Sequence, residues 1–137
     1  MIWPSDTPLL CRSVPASALT PQDALDRLAG FSADMHAAVV LDERDRVAAA
    51  TDEDEARVAR LRELVLELFE RAGEASEGRV GQVEVATADG AVFALRGSDT
   101  GAGSRWTIAA IAGRLALPSL MFYDLSMTLS DLRQVAV

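Results

Sequence analysis

The chain contains no lysine: all 13 of its basic residues are arginine, set against 21 Asp and Glu in 137 residues. That absence excludes a Walker A phosphate loop, a Schiff-base lysine and a lysine general base. Cysteine and histidine are nearly as scarce, with Cys11 and His36 the sole examples. A single cysteine forms no internal disulfide, and this pair cannot supply the four ligands of a structural zinc site. A domain of this size needs no disulfide, so the expected setting is a reducing one, the cytoplasm. Met1-Ile2-Trp3-Pro4-Ser5-Asp6 lacks the cationic and apolar regions of a secretory signal. No uninterrupted run of about 18 apolar residues is present, so no segment reads as a membrane span.

The formal charge of −8 removes two further classes. Sequence-independent nucleic-acid binding needs a cationic surface that displaces counterions from phosphates, and docking on anionic lipid needs the same. What the chain does have is apolar content: half of it is hydrophobic. That excludes general disorder, and one domain of this length buries about two-thirds of its unfolded surface.

Residues 1–19 carry Pro4, Pro8 and Pro15 without a sustained period and read as an extended leader, followed by one domain over 20–137. Thr20-Pro21-Gln22-Asp23 announces a helix: a threonine cap, proline in the first turn and an acid three residues on. Leu25 and Leu28 give it an apolar stripe, and Gly30 marks its end. His36 to Leu41 is apolar at nearly every position, the pattern of a strand buried on both faces. Asp42-Glu43-Arg44-Asp45 then reads as a turn into a second strand over 46–51. Asp52-Glu53-Asp54-Glu55 opens the longest helix, with Asp52 and Glu55 at capping-box spacing. Val58, Leu61, Val65, Leu68 and Ala72 recur at helical intervals, with Leu64 and Phe69 widening the stripe, and the helix should end near Gly73–Gly78. Gln82 to Thr87 alternates polar and apolar, as an edge strand does. Ala88-Asp89-Gly90 predicts a tight type I′ hairpin into a strand over 91–96. Gly97 to Ser104 is a loop, Arg105 to Ala112 another interior strand, and Pro118 starts a last helix. The predicted fold is α/β: a five-stranded, mainly antiparallel sheet with helices on both faces, in three layers.

No catalytic constellation emerges from these residues. His36 has neither a nucleophile nor an orienting acid in a recognisable pattern, so a structural or exposed histidine is the simpler reading. Cys11 lacks a charged neighbour that would make a thiolate. Gly101-Ala102-Gly103 leads into a strand, whereas a phosphate cradle opens a helix. The acids at 52–55 lack the alternating ligands of a calcium loop and read as a helix start. No metal or cofactor is expected. The interaction signals are stronger: strand 82–87 has no proline, lysine or bulge to guard its edge, and the long helix carries more apolar residues than one sheet face requires.

The sequence resembles the Roadblock / dynein-light-chain family, especially its bacterial members, over residues 20 to 132. The likeness rests on Ala37-Ala38-Val39-Val40-Leu41-Asp42, the helix Arg57 to Phe69, Val83-Glu84-Val85 with Ala88 to Phe93, and Trp106 to Gly113 followed by Leu120 to Leu125. Profilin-like, longin and PAS-type domains share parts of this pattern. The resemblance implies a profilin-like, Roadblock-like sandwich and a non-enzymatic homodimer that regulates or scaffolds a small Ras-like GTPase. Carried over by position, it places Gln82, Val83, Glu84, Val85 and Ala86 at the strand junction. The same transfer sets Val58, Leu61, Val65 and Leu68 near a pair of helices. One departure stands out: the family's first hairpin turn usually carries Asp-Gly, whereas this chain has Arg44-Asp45. The alternative is a small-ligand sensor of PAS or profilin-like type, which needs a closed apolar pocket lined by Phe93, Trp106 and Phe122.

Overall fold

Thr20 caps the first helix, α1 (Pro21–Phe31), through a reciprocal pair of bonds. Its hydroxyl accepts from the Asp23 N–H at 3.0 Å, and the Asp23 carboxylate accepts from the Thr20 N–H at 3.2 Å. With Pro21 in the first turn, the donors that a helix start leaves unsatisfied are managed as the sequence predicts. The helix runs one residue past Gly30. The computed structural model describes residues 20–97 and 105–135, the last three as backbone alone. The expected leader, Cys11 and residues 98–104 of the glycine-rich loop lie outside the described residues.

Two strands follow, β1 (Met35–Leu41) and β2 (Val47–Ala50), joined by residues 42–46, of which Glu43, Arg44 and Asp45 form the three-residue tip between the bonded Asp42 and Arg46. Asp42 donates its N–H to the Arg46 carbonyl at 2.8 Å, and Asp45 donates back to Asp42 at 2.9 Å. Asp45 sits at φ 64, the left-handed conformation that glycine occupies most easily. The Arg44-Asp45 departure is thereby explained: aspartate takes the glycine-like position of a three-residue hairpin.

Helix α2 (Glu55–Ser76) has the 22 residues expected, but its cap is Asp54 and not Asp52. The Asp52 carboxylate is occupied by the Arg57 guanidinium at 2.8 Å and the Asp54 N–H at 2.9 Å. Asp54 is left to accept from the N–H groups of Ala56 and Arg57, so the Asp52–Glu55 capping box does not form. The Arg57 hydrogen bond holds the Asp52 carboxyl below its ordinary range.

The last four elements are β3 (Gln82–Ala86), β4 (Gly90–Arg96), β5 (Thr107–Gly113) and α3 (Pro118–Val135). The β3–β4 hairpin forms where expected, closed by Thr87 N–H to the Gly90 carbonyl at 2.8 Å. It is not a type I′ turn, because neither Ala88 nor Asp89 has positive φ. Gly90 has a different reason: a side chain there would collide with the Ala112 carbonyl of β5.

The sheet order is β2-β1-β5-β4-β3, and every neighbouring pair is antiparallel. Alternation along the strands divides the interior in two. Val40, Phe93, Ile108 and Ala110 face α1 and α3, meeting Leu25, Leu28, Leu125 and Leu132. Val39, Leu41, Val92 and Ala109 face α2 and meet Leu61, Val65 and Phe69. Each fully buried Leu, Val or Phe contributes about 1.5–3 kcal/mol, so both helical layers are held by ordinary hydrophobic burial. The result is the three-layer profilin-like sandwich expected from the sequence.

Candidate interaction surface

The two borders of the sheet differ. At β2, the side-chain amide of Gln22 on α1 donates to the Ala50 carbonyl at 3.0 Å and accepts from the Ala50 N–H at 3.3 Å. At this one residue a side chain occupies the place of a neighbouring strand. β3 is the other border, paired only with β4 among the described residues. Arg96 donates to the Gly81 carbonyl and Thr87 to that of Gly90, which fixes the odd-numbered residues as those bonded to β4. The backbone groups of Gln82, Glu84 and Ala86 therefore point outward. Val83 and Val85 are half-buried on the α2 side, whereas Gln82, Glu84 and Ala86 are exposed.

On α2 the structure separates residues that periodicity alone had grouped. Leu61 and Val65 lie against the sheet of their own chain, Val65 fully so, with Val58 packed beside them. At 3.6 residues per turn, Leu68 and Leu64 lie about 60° and 100° round from Val65. Leu68 is half-buried and Leu64 is 41% exposed. Arg57, Arg60 and Arg71 border this leucine flank, and Glu63, Glu67, Glu70 and Glu74 form the back of the helix.

Other sequence candidates resolve simply. His36 is exposed and bonds to Asp34 at 3.2 Å, with no nucleophile in that contact. The acids at 52–55 serve the α2 start. No group of three or more His, Cys, Asp or Glu side chains converges among the described residues. No helix there is long and apolar enough to cross a membrane. Phe93 and Phe122 meet edge to face, centroids 5.3 Å apart at 88°, and Trp106 packs against the same core cluster.

A cationic cluster, missed from the sequence, gathers around the αL residue Asp45. Arg62 donates to its carbonyl at 2.6 Å, and terminal guanidinium nitrogens of Arg96 and Arg105 each approach its Oδ1 at 3.9 Å. Arg96 also donates from Nε to Thr107 at 3.1 Å and lies over the Phe69 ring, 4.2 Å from its centroid. Burial pushes the Arg96 guanidinium pKa down, the charge of Arg105 adds to that, and Asp45 opposes it. The β4–β5 pairing brings Arg96 beside Thr107, two residues beyond Arg105, across a loop that linear sequence holds apart.

No protein-family model matches the chain, and no curated protein is detectably similar in sequence. Solved structures do match. A Roadblock/LC7 domain from Streptomyces avermitilis superposes with a TM-score of 0.62 at 21% identity, covering 85% of this chain and 93% of that one. MglB of Myxococcus xanthus gives 0.68 at 11% identity over 84% and 86% of the two chains. The gliding protein MglB of Thermus thermophilus gives 0.69 at 12%, covering 96% and 98%. At these identities the likeness is one of architecture, and it agrees with the strand order and the layers described above. The chain has the fold of the Roadblock/LC7 domains, MglB among them.

Proposed function

We propose that this chain is a non-enzymatic, cytoplasmic homodimer that regulates or scaffolds a small Ras-like GTPase. The observation that carries the reading is the β3 border, whose outward N–H and C=O groups at Gln82, Glu84 and Ala86 ask for another strand. A second copy meets that need symmetrically, since one patch on both copies is what a two-fold dimer uses. A register that sets Glu84 against Glu84 places two carboxylates face to face, which destabilises the pair. A two-residue slide sets Gln82 opposite Glu84 of the second copy and Val83 opposite its counterpart. The outward donors and acceptors stay matched, and the like charges separate. The same union widens the sheet, with α2 on the common face and Leu64 and Leu68 on its free flank.

Support from outside the chain is of two kinds. Among the matching solved structures is one of MglB with tetrameric arrangement, so a protein of this architecture self-associates. The sequence resemblance to bacterial Roadblock proteins supplies the GTPase as partner. Light scattering at micromolar concentration tests the first part: a dimer mass is expected, and a strict monomer overturns it. Co-elution with a small Ras-like GTPase from the same genome, loaded with GTP or GDP, tests the second. Failure to bind in both nucleotide states overturns the partner while leaving the dimer standing.

A further inference from the structure

We propose that the cleft between the C-terminal end of α2 and the end of β4 binds a phosphate-type oxyanion, held by Arg79, Arg96 and Arg105. The cleft has a volume of about 380 Å³ and is floored by Phe69. That size falls within the range of small-ligand sites, about 300–1,000 Å³. Its three arginines stand out in a chain whose formal charge is −8.

Local charge makes the case for a dianion. Among the described residues, the one carboxylate within 4.0 Å of Arg96 or Arg105 is Asp45, and it is shared between them at 3.9 Å. Three guanidiniums line the cleft against that one carboxylate, with Arg62 outside the lining on the Asp45 carbonyl, which leaves at least two positive charges to balance. A phosphate dianion balances two, and a carboxylate only one. Arg96 is also pre-positioned, because Thr107 fixes its Nε and Phe69 supports its plane. Holding a guanidinium in place before binding lowers the ordering cost of gripping an oxyanion with paired N–H groups. Its side chain is only 17% exposed, where the site is dry enough for charge–charge attraction to count. Glycines complete much of the wall, and a Cβ at Gly81 would meet no atom within 4 Å, so the backbone leaves room for a ligand. Free phosphate and the terminal phosphates of a nucleotide share this chemistry. The site lies within one protomer and does not depend on the dimer.

Isothermal titration calorimetry on the full chain, with inorganic phosphate and GTP at matched ionic strength, tests the proposal. Saturable binding of at least one probe is expected. Arg105→Gln and Arg79→Gln, both at partly or fully exposed side chains, should each weaken it about tenfold. Asp45→Asn, which removes the competing carboxylate and keeps a residue tolerant of positive φ, should tighten it. GTP binding more tightly than phosphate assigns the site to a nucleotide, and equal affinity assigns it to the free ion. Absence of binding by both probes overturns the proposal. So does binding that the two arginine variants leave unchanged while their circular dichroism stays native.

Discussion

Replacing Glu84 with proline separates the proposed strand junction from the fold of the protomer. The Glu84 N–H points away from β4, so proline there removes no bond within the chain's own ladder. Proline is tolerated at such outward-facing edge positions. In the proposed register, Gln82 and Glu84 of each copy exchange backbone bonds with Glu84 and Gln82 of the other. That makes about four inter-strand bonds, each worth about 1 kcal/mol net. Two-fold symmetry means that one substitution deletes a donor in both copies. The dimer should lose about 2 kcal/mol from the missing bonds alone, about thirtyfold in Kd, with ring clashes adding to it. Sedimentation equilibrium reads the Kd, and thermal melting by circular dichroism reports the protomer. Glu84→Gln keeps the N–H and should dimerise at least as tightly as the parent. Val83→Pro removes a β3–β4 ladder bond and should lower the melting temperature as well. A Glu84→Pro protein with the parent's Kd would falsify the placement of the junction on β3.

Gly90→Ala should destabilise the protomer by about 1–3 kcal/mol or more in urea unfolding, because the added methyl meets the Ala112 carbonyl; an unchanged midpoint would refute the close approach. At Asp45, which sits at φ 64, alanine should cost about 1–2 kcal/mol and glycine should not, measured by the same unfolding curves. Equal losses for the two would show that its carboxylate, and not its backbone conformation, is what matters. Burial alone would raise the Asp42 carboxyl, but the N–H groups of Arg46 and Arg44 and the Arg46 guanidinium outweigh it and hold it below 3.8. A carboxyl depressed in the folded state contributes stability above that value and loses it as pH falls through the folded pKa. Asp42→Asn should therefore flatten the acid side of the stability profile, and a profile with the parent's slope would contradict the assignment.

Sequence periodicity located all eight elements because burial writes period two into strands and period 3.6 into helices. It also identified β3 as a border, since Val83 and Val85 alternate with polar neighbours. It missed where competition between nearby groups decides the outcome. Asp52 and Asp54 are both competent caps, and only the reach of Arg57 assigns one of them elsewhere. The type I′ expectation failed for a related reason: Gly90 answers to β5, a strand more than 15 residues further on. The stripe on α2 was legible as a stripe, but its division between the sheet-facing Leu61 and Val65 and the flanking Leu64 and Leu68 depends on how the helix is rotated. Arg62 reaches Asp45 through the packing of α2, and Arg96 and Arg105 are brought together by the β4–β5 pairing, so linear order held no sign of the cluster.

The Gln22 amide on Ala50 has a consequence for how large an assembly can grow. A sheet open at both borders would add copies head to tail without limit, as fibres do. Here one border is already engaged at Ala50 by the molecule's own first helix, so in the proposed dimer addition through β3 would end after a single union. Removing that contact, as in Gln22→Ala, would leave two reactive rims, and the hazard would then be polymerisation.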